Sequence, residues 1–124
     1  MARRQRQKSQ PSPEETRVWV CRGGDCGSRR KHPEVDHRAQ LDRFKGELEQ
    51  IPVTVTACLD ACEHSNVVVV RTPDEEVWLG GVNDEESTEQ VIGWVASGAD
   101  DPPPGLIEWH AFRPTRPMQS ELPD

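Results

Sequence analysis

Residues 53–71 read Val-Thr-Val-Thr-Ala-Cys-Leu-Asp-Ala-Cys-Glu-His-Ser-Asn-Val-Val-Val-Val-Arg. Val53 to Thr56 is β-branched at every position, which predicts a strand, because branched side chains fit a pleated surface. Val67-Val-Val-Val-Arg71 predicts a second strand, of the buried type. Between the two lie Cys58 and Cys62, with three residues between them, and the pair begins directly after the first strand. Downstream, Pro73-Asp-Glu predicts a turn, and Val77-Trp-Leu79 returns as an antiparallel hairpin partner.

Upstream, Arg17-Val-Trp-Val20 predicts a short apolar strand that ends at Cys21. A helix is expected from Val35 to Glu49. Leu41, Phe44 and Leu48 lie at i, i+3 and i+7 on one face, Pro33 precedes it, and Pro52 stops it. A strand, a helix and a strand in succession predict parallel strands joined by a right-handed crossover. The last element is a helix from about Asp84 to Ser97, with Val91, Trp94 and Val95 as its buried stripe. Either Asp84 caps it, or Ser87 does so in a capping box with Gln90, and Gly98 suits the position just past its end. The order β-α-β-β-β-α predicts an α/β fold of thioredoxin-like form, with a four-stranded mixed sheet and flanking helices.

The chain has 124 residues, 33% hydrophobic and 30% charged, with a mean hydropathy of -0.80. That is enough for one small core. Fifteen basic against 22 acidic residues give a net charge of -7, which argues against nucleic acid as the main partner, because a phosphate backbone would be repelled. The longest apolar run, Val67 to Val70, is far too short to span a bilayer. The basic start from Met1 to Gln10 is not followed by a hydrophobic stretch, so it does not read as a secretory signal, and the expected location is cytoplasmic. Eight of the 11 prolines fall in residues 1–16 or 99–124. Residues 1–16 are therefore expected to form a basic disordered tail, 17–98 the domain, and 99–124 a Pro-rich, disordered C-terminal tail. Within that tail, Leu106, Ile107, Trp109 and Phe112 are the apolar residues able to dock on the domain or on a partner.

Chemistry concentrates in the cysteines. Cys21 and Cys26 have four residues between them, Cys58 and Cys62 have three, and 31 residues separate the pairs. If their strands are parallel neighbours, both pairs emerge at one edge of the sheet and four thiols converge. Convergent thiols mean a metal centre or two disulfides, and disulfides need an oxidising compartment to which nothing here directs the chain. Neither pair is the C-x-x-C of a redox dithiol. Tetrahedral Zn²⁺ and an iron–sulfur cluster remain. Wide, unequal two-cysteine loops suit the elongated [2Fe–2S] rhomb better than a single zinc ion, and spacing leaves both open. Cys62-Glu-His64 is a C-x-H of the kind Rieske sites use, but such a site needs a later cysteine and none follows.

The pattern Cys-x₄-Cys, then Cys58-Leu-Asp-Ala-Cys62 and a Val-rich strand, resembles the thioredoxin-like [2Fe–2S] ferredoxins. These are similar in fold to the small [2Fe–2S] subunit of respiratory NADH dehydrogenase. The resemblance covers residues 17–98. It implies one [2Fe–2S] cluster, one-electron transfer, and four cysteinyl ligands: Cys21, Cys26, Cys58 and Cys62. Asp60 stands where that subunit's loop usually has Gly, and the subunit's helical N-terminal domain has no counterpart, so a stand-alone ferredoxin is the better fit.

Other residues are read more plainly. Gly23, Gly24 and Gly27 read either as a plain turn or as a turn that lets backbone N–H groups approach cluster sulfurs. Gly80-Gly81 is a turn. His32, His37, His64 and His110 have no paired spacing and read as surface or helix-face residues. Trp19, Trp78 and Trp94 read as core aromatics. The first cysteine loop carries Arg22, Arg29, Arg30 and Lys31 against Asp25, and the second carries Asp60 and Glu63 with no Lys or Arg. The first loop is thus the electropositive side. No Ser/His/Asp set, paired-carboxylate site or phosphate loop can be assembled.

The expected function is a one-electron carrier that is not itself an enzyme. A redox partner protein, a reductase or another oxidoreductase, is implied, and a homodimer is compatible with the reading. The alternatives are a structural four-cysteine zinc module serving as an interaction domain, and an electron-transfer subunit of a larger NAD-linked dehydrogenase.

Overall fold

The structure, a computed structural model, describes residues 16–22, 26, 28, 30, 32, 33, 35–59, 64–73 and 75–122. Its elements are β1 (Arg17–Cys21), α1 (His37–Glu47), β2 (Val53–Thr56), β3 (Val68–Arg71), β4 (Glu76–Leu79), α2 (Glu85–Ala96), α3 (Pro104–His110), β5 (Ala111–Phe112) and α4 (Arg116–Glu121). The sheet runs β2-β1-β3-β4-β5. β1 is parallel to β2, with Val18 opposite Val53 and Cys21 opposite Thr56. β1–β3, β3–β4 and β4–β5 are antiparallel. The expected mixed sheet, parallel β1–β2 pair and β3–β4 hairpin are all present.

Period-two alternation divides the strands between two cores. Val18, Val20, Val68, Val70 and Leu79 face one side, where Phe44 and Leu48 of the first helical segment and Val91, Trp94 and Val95 of α2 cover them. Trp19, Cys21, Val69 and Trp78 face the other side, with Leu59, Val67, Cys26, Met118 and Leu122. Burial on both faces explains why the central strand reads as an unbroken valine run. Trp19, Trp78 and Trp94 are core aromatics as expected, all at most 3% exposed.

The helix caps follow from sequence. Asp36 Oδ1 accepts from Ala39 N at 3.0 Å, and Asp84 Oδ1 accepts from Ser87 N at 2.8 Å. Asp84, rather than Ser87, is therefore the cap of α2. Gly98 has φ 108°, a left-handed conformation that an L side chain would strain, and its N–H reaches Val95 O at 3.1 Å.

The expectation of four strands and a disordered tail from residue 99 needs correction. β5 adds a fifth strand, pairing Phe112 with Trp78 and Ala111 with Leu79. Leu106 is fully buried in the helix-side core, and Met118 and Leu122 close the opposite face. The prolines stop regular structure at residues 102 and 103, but the third, Pro104, opens α3, where a missing N–H costs nothing. The folded unit therefore continues past 98 to Leu122. Residues 1–15 lie outside the described residues.

Candidate metal centre

The parallel register carries the ends of β1 and β2 to the same level. Cys21 is the last residue of β1 and stands opposite Thr56, two residues before Cys58. Arg22 N donates to Thr56 O at 3.0 Å, which continues the pairing one step. Cys21 Sγ lies 3.6 Å from Ala57 O. The first cysteine loop thus leaves the sheet directly beside the second. Cys21 is 1% exposed, Cys26 is 2% exposed within the core around Trp19 and Trp78, and Cys58 is half-buried.

Cys62 lies outside the described residues, as do Gly23, Gly24, Asp25, Gly27, Arg29, Lys31, Asp60 and Glu63. Among the described residues alone, no group of three His, Cys, Asp or Glu is placed to hold a metal ion. Of the two described cations of the basic loop segment, Arg22 and Arg30, Arg30 is exposed.

The exit of the second cysteine loop is clamped to the turn after β4. Gly81 N donates to His64 O at 2.8 Å, and Val82 N donates to Asn66 O at 3.1 Å. Asn66, fully buried, donates from Nδ2 to Asn83 Oδ1 at 2.7 Å, and Asn83 Nδ2 reaches Ser65 O at 3.3 Å. His32 Nε2 lies 2.9 Å from Ser65 Oγ, so the segment after the first cysteine pair is fastened to the exit of the second loop. The histidine ring of His64 stacks on Phe112, and His110 Nδ1 lies 2.9 Å from Gly80 O. These three histidines, expected as surface or helix-face residues, are half-buried and each contacts a distant segment.

One cation sits inside this arrangement. Arg22 donates from Nη1 to Cys21 O at 3.0 Å, and from Nη2 to Gln40 Oε1 at 2.7 Å and His37 O at 3.2 Å. Its Nε is buried with no acceptor among the described residues. All three of its partners are neutral oxygens. Burial pushes the guanidinium pKa below its ordinary value, opposed by the Cys26 and Cys21 thiols. Gln40 is held in turn, donating from Nε2 to Val82 O at 2.9 Å and Thr88 Oγ1 at 3.0 Å.

Sequence reasoning missed Gln40, Ser65, Asn66 and Asn83. For Gln40 a signal existed: it lies four residues before Phe44, so a helix over this segment puts it on the buried face. The loop polar residues had no periodic signal to betray them.

No protein-family model and no curated protein matches the chain in sequence. Solved structures do match in fold. The wild-type thioredoxin-like [2Fe–2S] ferredoxin from Aquifex aeolicus aligns with 24% identity and a TM-score of 0.56, over 82% of this chain and 99% of that one. A second structure of a thioredoxin-like [2Fe–2S] ferredoxin from the same organism aligns with 23% identity and a TM-score of 0.57, over 81% and 92%. The chain therefore has the thioredoxin-like ferredoxin fold, as the strand order and the cysteine loops led one to expect. No helix among the described residues is long and apolar enough to cross a membrane.

Proposed function

We propose that the chain is a ferredoxin, a one-electron carrier holding one [2Fe–2S] cluster through Cys21, Cys26, Cys58 and Cys62. The observation that carries this reading is the parallel pairing of β1 with β2. It sets Cys21 opposite Thr56 and brings the Cys21 thiol to Ala57, the neighbour of Cys58. Four thiolates from two loops at one sheet edge are the donor set that such a cluster takes.

Arg22 supports the same fit. A half-buried guanidinium whose acceptors are all neutral, with its buried Nε–H unbonded among the described residues, is costly unless an anion stands nearby. A cluster with four thiolate ligands is such an anion, and when bound it takes up and releases a single electron. The protein's own part is plain from its residues. Cys21 and Cys26 are shielded from water by the core around Trp19 and Trp78. The Asn66–Asn83 clamp fixes the chain where it returns from Cys62 into β3. Arg22 offsets negative charge at the first loop.

No substrate bond is made or broken in this reading. The partner is a redox protein, a reductase or another oxidoreductase, and the net charge of -7 suits one with a basic docking face. The cytoplasm, where thiols stay reduced until metallated, is the matching compartment. The test is a reductive titration of the full-length protein produced with an iron supply. Visible absorbance that falls with one electron per chain and returns on reoxidation supports the reading. A protein with no visible chromophore in either state overturns it.

A further inference from the structure

We infer that Arg22 is the fixed counter-cation of the cysteine centre and that Gln40, whose hydrogen bonds go to Arg22, Val82 and Thr88, is the residue that positions it. The inference deepens the ferredoxin reading and rests on it. Its starting point is a difference among the basic residues of the first loop. Arg30 is exposed, where solvent and salt screen a charge. Arg22 is partly buried, and three oxygens hold it in place: Cys21 O, His37 O and Gln40 Oε1. No salt bridge neutralises it among the described residues.

Gln40 is nearly buried and uses both ends of its amide. Its oxygen takes the guanidinium at 2.7 Å, and its nitrogen is tied to Val82 O and to Thr88 Oγ1. Thr88 Oγ1 in turn donates to Asp84 O at 2.8 Å. The chain of contacts runs from Cys21 and Arg22 to Gln40 in α1, and on to Thr88 and the Asp84 cap of α2. A charge held this way cannot swing out to solvent, so it acts on the centre at a constant distance. Reduction adds negative charge beside a cation, which favours the reduced state. Exposed loop cations would give an effect that salt removes; Arg22 gives one that persists.

The experiment is redox titration of the full-length, cluster-loaded protein at low and high salt, for the unaltered chain and for Arg22→Gln, Arg22→Lys and Gln40→Met. Arg22→Gln shifts the equilibrium about tenfold against reduction, about 59 mV for one electron, and the shift survives high salt. Arg22→Lys restores part of it. Gln40→Met shifts the potential in the same direction by less, although it removes no charge. Should Arg22→Gln fail to load while Arg22→Lys loads, the need for the charge is supported, and Gln40→Met still reports on positioning. Arg22→Gln and Gln40→Met variants that load and keep the parent potential overturn the inference while leaving the ferredoxin reading intact. An unaltered chain that never loads a cluster overturns the reading itself.

Discussion

His64 lies flat on Phe112, with ring centroids 4.0 Å apart and ring planes within 4°. His64 is two residues past Cys62, and Phe112 belongs to the strand that closes the sheet near the end of the chain. Phe112 also meets Trp78 edge-on, with centroids 6.1 Å apart. The exit of the second cysteine loop therefore rests on β5, and β5 rests on the tryptophan of β4. The C-terminal segment is part of the frame that holds the candidate centre.

Gly80 lets that stack form. A Cβ built there would stand 2.9 Å from both Cβ and O of His64 and 3.2 Å from the Phe112 ring. His64 O is already fixed by Gly81 N, so it cannot give way. Gly80→Ala is expected to cost about 1–3 kcal/mol. Gly93→Ala is the control: a Cβ there meets nothing within 4 Å on an exposed helix position, and it should add up to about 1 kcal/mol. Denaturant unfolding of both variants checks the pair. Equal effects at the two glycines would contradict the close-approach argument.

Leu106 and Trp109 separate core from surface in the same short helix. Leu106 is fully buried and Trp109 is 79% exposed. Leu106→Ala is expected to destabilise the protein by about 2–5 kcal/mol, and Trp109→Ala to change stability by about 0.5 kcal/mol or less. Thermal unfolding decides between this account and a loose tail, which would leave both variants at the parent midpoint.

These residues also mark where sequence stopped being informative. The apolar runs revealed β1 and β3, which are buried on both faces, and the β-branched run Val53–Thr56 revealed β2, an edge strand that stays largely exposed. Leu41, Phe44 and Leu48 revealed the first helix through their spacing, and Asp84 and Gly98 bounded the second through their capping chemistry. β5 was invisible. Two residues carry no period, and the three prolines upstream of them read as disorder, although Pro104 in fact begins α3. The cysteine spacing pointed to the candidate site proposed above, yet the polar residues around it were hidden. Gln40, Asn66 and Asn83 are polar groups whose role depends on partners far away in the chain, which no local pattern encodes.

Asp84 gives the fold a pH dependence of known sign. Hydrogen bonds from the Ser87 hydroxyl and N–H hold its carboxyl below the ordinary value of 3.8. A depressed folded-state pKa adds stability that is present above the unfolded value and is lost as pH falls through the folded one. Asn keeps a capping oxygen but not the charge. Asp84→Asn should therefore cost about 0.3–1 kcal/mol near pH 6, tempered by solvent screening, and the gap should narrow in acid as the carboxyl is protonated. Urea unfolding near pH 6 and in acid checks it. A gap that widens in acid would reverse the assigned sign.

Each proposed ligand can be tested alone. Replacing Cys21, Cys26, Cys58 or Cys62 by Ala removes one thiolate from the set. Each variant should lose most of its iron and visible absorbance, while the fold, held by two valine-rich cores, persists by far-ultraviolet circular dichroism. A variant that retains parent levels of both iron and colour removes that cysteine from the ligand set.

The central claim is that the two cysteine loops enclose a [2Fe–2S] cluster, and metal analysis with acid-labile sulfide on the purified full-length protein tests it most directly. The account predicts a red-brown protein carrying two irons and two sulfides per chain. A colourless protein with one zinc and no sulfide would contradict it, and would make the same four thiols a structural zinc site instead.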